Sequence, residues 1–364
     1  MGHGLKGCLI RVCAGAILAA NLALAARAAE APPLPVRVVV VTTFEVGNDT
    51  GDTPGEFQNW VERFPLREII PFPQGNHALR YDADRHVLGI VTGMGKAHAA
   101  TSIMALGLDP RFDLSKAYWI LAGIAGIDPA KGSVGSAAWA RYIVDGDLGY
   151  EIDAREIPGD WSTGIIPDGR SKPFQEPAPT RKRDDGGQVY KLNAALADWA
   201  YALTADTQLP DTPNLKKVRA GYPDYPNAQK PPFVLEGDTL TADRFWVGAL
   251  STRWAQKWVA YWTRDEGVFV TSAEEETGFL QALTLLAQTR RADLMRVMDL
   301  RTARDFTTQP AGTTAAQFLA GEADGSLGAY LESLDSAYRV GSRMVTELAT
   351  HWDKYADQVP SGKR

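Results

Sequence analysis

Cysteine is almost absent from this 364-residue chain. The two present, Cys8 and Cys13, lie close to the N-terminus. No disulfide framework can form in the rest, so stability has to come from an ordinary apolar core. Histidine is nearly as scarce: His3, His77, His86, His98 and His351 show no metal-ligand spacing with one another or with cysteine. Neither a metal site nor another cofactor is expected. No Gly-x-Ser-x-Gly is present, which argues against an α/β-hydrolase elbow. Excess positive charge is missing too, with a formal net charge of −6 and a pI near 5.5. The one basic block, Arg181-Lys182-Arg183, is neutralised at once by Asp184 and Asp185. No nucleic-acid partner is expected on this balance. After residue 29 no apolar run approaches the roughly 20 residues of a spanning helix. With 45% hydrophobic residues, the chain reads as a globular protein that handles a small molecule.

What is there begins with a leader. Lys6 and Arg11 supply a positive segment, and residues 14–26 (AGAILAANLALAA) are apolar or small except for Asn21. Ala26-Arg27-Ala28 offers an A-x-A cleavage site before a polar, proline-rich stretch. This order predicts a signal peptide over residues 1–28 and a single domain over 29–364, periplasmic or secreted.

Strand and helix periods then alternate. Residues 36–41 (VRVVVV) and 86–92 (HVLGIVT) read as strands buried on both faces. Residues 96–106 are Ala-rich and helical, and 117–122 and 136–144 are further strands. Helices are expected over 190–205, 245–262, 274–288 and within 327–355, with strands at 233–235, 268–271 and 294–300. Such alternation predicts an α/β fold with a mostly parallel sheet covered on both faces. Residues 48–73 and 157–187 break the pattern. The second, with five prolines, reads as a surface insertion.

Ligands of parallel sheets gather at the carboxyl ends of the strands. There the sequence places Glu45, then Gly93-Met94-Gly95-Lys96, then Gly123 and Gly126, then Asp238, Glu274 to Glu276, and Asp305. Glycines let backbone approach a ligand, and a helix starting near Lys96 points free N–H groups at it. Each has a plainer reading as a turn, tight packing, an N-terminal acid or a cap.

In order, VLGIVTGMGKAHAA, WILAGIAGIDPAKGSVGSAAWARYIVDGD, EGDTL, EEETGF and RTARDF resemble the nucleoside phosphorylase and nucleosidase superfamily. FEVGNDTGDTPGEFQNW and GDTLTADRFW resemble, more narrowly, the purine nucleoside permease family. The resemblance spans nearly the whole mature chain. It implies a three-layer α/β/α sandwich with a mostly parallel mixed sheet, binding a purine nucleoside. It further implies Glu276, with Glu274 nearby, as the grip on ribose hydroxyls, and Asp305 as the acid acting at purine N7. Glu45, with Asp49 as its rival, would activate water. The base-stacking position resembles Leu240, with Phe245 or Trp246 as substitutes. Leu121 and Ile124 stand where phosphorylases of this type carry an Arg and a Ser for phosphate. The resemblance therefore favours hydrolysis over phosphorolysis. Three readings stay open: an enzyme cleaving the N-ribosyl bond in nucleoside salvage, a nucleoside-binding component of uptake working with a membrane partner, and a storage or structural protein. A homo-oligomer is compatible with each.

Overall fold

Alternation inside the valine-rich run decides the architecture. In the computed structural model, which describes residues 32–178, 187–323 and 328–362, strand β1 (Val38–Thr42) is buried throughout. Val39 and Val41 face one side of the sheet together with Leu88, Ile90, Trp119 and Leu121. Val38 and Val40 face the other with Val87, Val91, Tyr118 and Ile120. Period-2 side chains that are apolar on both faces require cover on both faces. Helices α2 (Lys96–Leu108) and α5 (Glu276–Gln288) cover the first face through Ala99, Ile103, Phe279 and Leu283. On the second face lie α1 (Gln58–Arg63), α3 (Ala194–Thr204) and α6 (Tyr330–Thr350). Each fully buried Val or Leu of these layers contributes roughly 1.5–3 kcal/mol.

The other strands of this sheet are β2 (Glu68–Ile70), β3 (Leu79–Asp82), β4 (Val87–Val91), β5 (Tyr118–Ile127), β6 (Ala137–Trp139), β7 (Tyr142–Asp145), β8 (Val189–Lys191), β9 (Val234–Glu236), β10 (Asp238–Thr241), β11 (Phe269–Ala273) and β12 (Val297–Phe306). They form one 12-stranded mixed sheet in the order β8-β7-β10-β11-β5-β1-β4-β3-β2, with β12 joining β5 to β6 and β9 beyond β6. The centre is parallel: β1 with β4 and β5, and β12 with β5. Helix α4 (Ala249–Thr263) brings Ala255, Trp258, Val259 and Trp262 onto Val144, Leu240 and Phe269. The mostly parallel mixed sheet with helices on both faces agrees with the expected α/β class.

Boundaries moved where glycines and charges interrupt a buried strand. The stretch from Gly123 to Ile127 continues β5 instead of forming a loop, and β12 runs on through Arg301 to Phe306. Residues 136–144 divide into β6 and β7. The 157–187 segment includes Ile165–Pro167, which pairs antiparallel with Gly149–Glu151, while residues 179–186 lie outside the described residues. So does the leader at 1–28. No helix among the described residues is long and apolar enough to cross a membrane.

Candidate functional site

Strand β5 outruns its neighbour. β1 pairs only with Tyr118 to Leu121, whereas β12 follows β5 to Ile127. β11 joins from the other direction at Gly126 and Ile127. Past Leu121 the sheet opens, and a cavity of about 290 Å³ occupies the opening. Its size is near the lower end for ligand pockets. Ile124, Ala125 and Gly126 form one wall, Ser272 to Glu275 another, and Thr43, Phe44 and Glu56 a third. Arg304, Asp305, Tyr330, Arg244, Phe245, Trp246 and Met94 line the rest, with Arg301, Ala242 and Thr307.

Behind the floor lies a buried charge network. Arg301 Nε meets Glu276 Oε1 at 2.5 Å, and Nη2 meets Glu275 Oε2 at 2.8 Å. Nη1 donates to the Ile124 carbonyl at 3.0 Å. Burial works against the Arg301 charge, but Glu276, Glu275 and Asp299 outweigh it and raise its pKa. Burial pushes Glu275 up to about 7, although Arg301 opposes this. Asp299 rises to about 8, through burial and then the neighbouring Glu276. Its Oδ2 accepts from Thr239 Oγ1 at 3.0 Å, while Oδ1 has no hydrogen-bond partner and lies 3.9 Å from Arg301 Nε. Gly123 makes the network possible: a Cβ there would lie 2.4 Å from Arg301 Nη1 and 2.6 Å from Glu56 Oε1.

Two acids near the first strand divide the work. Glu45 accepts from the backbone N–H groups of Val46, Gly55, Phe57 and Gln58. It thereby fixes the loop that enters α1 and does not line the cavity. This corrects the expectation that Glu45 activates water. Asp49 is likewise committed elsewhere, in a bidentate pair with Arg80. The carboxylate that reaches the cavity is Glu56. Its Oε2 accepts from Thr43 N at 2.7 Å and Thr43 Oγ1 at 2.9 Å, and Oε1 from Ile124 N at 2.7 Å. Burial raises its pKa despite Arg301 and these donors. Glu56 sits in the irregular 48–73 segment, where no period or spacing singles out one acid.

Other expectations are corrected in the same way. Glu276 is fully buried, held by Arg301 and Thr241 Oγ1, and does not line the cavity. Glu274 and Glu275 do. Asp238 accepts from the N–H groups of Arg141, Tyr142 and Val268, which makes it a strand tie remote from the cavity lining. Leu121 and Leu240 pack in the core. The N–H groups entering α2 are already used: Lys96 N donates to Asp243 at 2.8 Å and Gly95 N to Glu275 at 3.3 Å. Lys96 Nζ pairs with Asp145 and Asp147.

Asp305, Gly126, Trp246 and Phe245 line the cavity together. A Cβ on Gly126 would come 3.5 Å from Asp305 Oδ2. Trp246 is braced by Phe269 and Trp254. Tyr330 hydrogen-bonds the Pro54 carbonyl at 2.8 Å and packs on Phe44, so α6 ties the 48–73 segment to the cavity. Arg304 lies inside the RTARDF segment and Tyr330 in α6, but no period or spacing marked either as a site residue.

The family model described as purine nucleoside permease matches residues 35–360. A purine nucleoside permease of Candida albicans is 31% identical over 269 residues, covering 73% of this chain and 64% of that protein. The chain thus spans less than two thirds of that relative's length. A Schizosaccharomyces pombe protein described as "Probable purine nucleoside permease" is 30% identical over 72% of this chain and 76% of its own length. Among solved structures, a Neisseria meningitidis 5′-methylthioadenosine/S-adenosylhomocysteine nucleosidase in complex with methylthio-immucillin-A is similar, with a TM-score of 0.51 at 12% identity. That likeness covers 85% of this chain and 99% of the nucleosidase. A Streptococcus pneumoniae nucleosidase of the same description gives 0.50 at 12% identity, covering 86% and 99%. Likeness at this identity is one of fold: the architecture is nucleoside phosphorylase-like.

Proposed function

Because the chain belongs to the purine nucleoside permease family, we propose that it binds a purine nucleoside in the cavity at the end of β5 and hydrolyses the N-ribosyl bond, serving salvage in the periplasm. One observation carries the reading: Asp305 and Glu56, brought from distant parts of the chain, line one cavity with the aromatic rings of Phe44, Phe245, Trp246 and Tyr330. Rings of that kind stack on a flat base. Asp305 hydrogen-bonds or protonates N7, which draws off the electron pair released when the C1′–N9 bond breaks. Glu56 accepts a proton from water as its oxygen bonds C1′. Its raised pKa makes it a better base than an exposed glutamate. Glu275, with Glu274, replaces Glu276 as the acceptor for ribose hydroxyls.

Water suits this floor better than phosphate. The polar atoms of Ile124 are taken by Glu56 and Arg301, and Glu56, Glu274 and Glu275 line the same space. The arginines of the lining already face acids, Arg301 facing Glu275 and Glu276, Arg304 facing Asp305 and Arg244 facing Glu151, so an anion would compete with carboxylates for its donors. The periplasmic location is supported by the Lys6, Arg11 and Ala26-Arg27-Ala28 leader pattern.

The family description favours a second reading, in which the same cavity only binds the nucleoside and passes it to a membrane partner for uptake. Incubating the protein with inosine, guanosine, adenosine and uridine, with and without phosphate, separates the two. Free base from the purine nucleosides without phosphate is expected. Release only with phosphate overturns hydrolysis, and saturable binding without release overturns catalysis in favour of uptake.

A further inference from the structure

The pairing of β12 with β5 slips once, and the slip changes what the cavity contains. Ala303 pairs with Ala125 and Asp305 with Gly126, so Arg304 is the extra residue of a bulge. In a regular strand, neighbours point to opposite faces. Bulges re-aim side chains, and here the consecutive residues Arg304 and Asp305 both line the cavity. Arg304 Nη1 lies 3.6 Å from Asp305 Oδ1, with the two side chains 14% and 3% exposed. The guanidinium is also close enough to the phenol of Tyr330, another lining residue, for its charge to act there.

We infer that Arg304 makes the cavity selective for purines carrying an oxygen at C6, as in hypoxanthine and guanine, over purines with a 6-amino group. The inference rests on the proposed placement of Asp305 at N7. On a purine the next group along that edge is the C6 substituent. A guanidinium is donor-only. With N7 held by Asp305, it can donate to O6, an acceptor that arginine also uses on guanine. A 6-amino group offers donors in place of that acceptor, and leaves an Arg304 N–H without its partner. Losing one hydrogen bond from a charged donor corresponds to a selectivity of roughly tenfold to a hundredfold.

The readout is the ratio of kcat/KM for inosine to that for adenosine, in the unaltered protein, Arg304→Met and Arg304→Lys. A ratio of about tenfold or more is expected in the unaltered protein. It should fall toward one in Arg304→Met and remain above it in Arg304→Lys, which keeps a donor. A ratio of one or less in the unaltered protein, or one unaffected by either substitution, overturns the inference while leaving hydrolysis standing. Should no base be released, the ratio of calorimetric Kd values for the same nucleosides carries the test. Preference for inosine that is lost in Arg304→Met then upholds the inference although catalysis has failed. Binding of neither nucleoside overturns both.

Discussion

Arg301 and Glu276 face each other at 2.5 Å, Nε to Oε1, with both side chains 1% exposed. Arg301 reaches the cavity floor, Glu276 lies behind it, and Arg301 holds Glu275 in the wall. Taking away one member of a buried pair leaves an uncompensated charge, at a cost of about 3–5 kcal/mol. Arg301→Met should lower the urea unfolding free energy by that amount. A loss below about 1 kcal/mol would show that Glu56, Glu275 and Glu276 tolerate one another without the guanidinium.

Stability should also depend on pH through Asp299. Its folded pKa of about 8 exceeds the roughly 3.9 of an unfolded aspartate, so the folded protein binds the extra proton between these values. Stability contributed by the neutral carboxyl is complete below about pH 4 and is lost as pH rises toward 8. Asp299→Asn mimics the neutral form and should flatten the decline. Urea midpoints at pH 5, 7 and 9 measure this; parallel curves for the two proteins would contradict it.

Glu56 and Glu45 should separate cleanly when replaced. Glu56→Gln removes the proposed base and should lower kcat for base release by about 10²–10⁴-fold. Glu45→Ala leaves several N–H groups unpaired and should destabilise the protein, by about 1–3 kcal/mol for each one left buried. Equal loss of turnover in both, at equal stability, would contradict the division of roles.

Trp246→Ala should weaken nucleoside binding. Stacking on an aromatic contributes about 1–3 kcal/mol per base, so Kd by calorimetry should rise by roughly fivefold to a hundredfold. An unchanged Kd would assign stacking to Phe44, Phe245 or Tyr330.

The layers were legible in the sequence because buried strands carry β-branched residues on both faces. The runs at 36–41 and 86–92 sit on β1 and β4. Strand ends were not: Gly123 to Ile127 and Arg301 to Asp305 carry glycine and charge, yet continue strands because their polar groups pair with one another. Asp305 and Gly126 follow from strand-end logic and resemblance. Glu56 does not, since a carboxylate brought in by an irregular loop leaves no periodic trace. Nor does the exchange of Glu276 for Glu275 at the cavity wall. Arg301, which draws Glu276 inward, is 25 residues away in sequence, and adjacent acids at a helix start are interchangeable to composition.

The central claim is that Asp305 works on the purine of a bound nucleoside. Asp305→Asn, compared with the unaltered protein for inosine binding by calorimetry and for hypoxanthine release by chromatography, tests it most directly. The account predicts binding within a few-fold and release slowed by at least about a hundredfold. Release at an unchanged rate would contradict it.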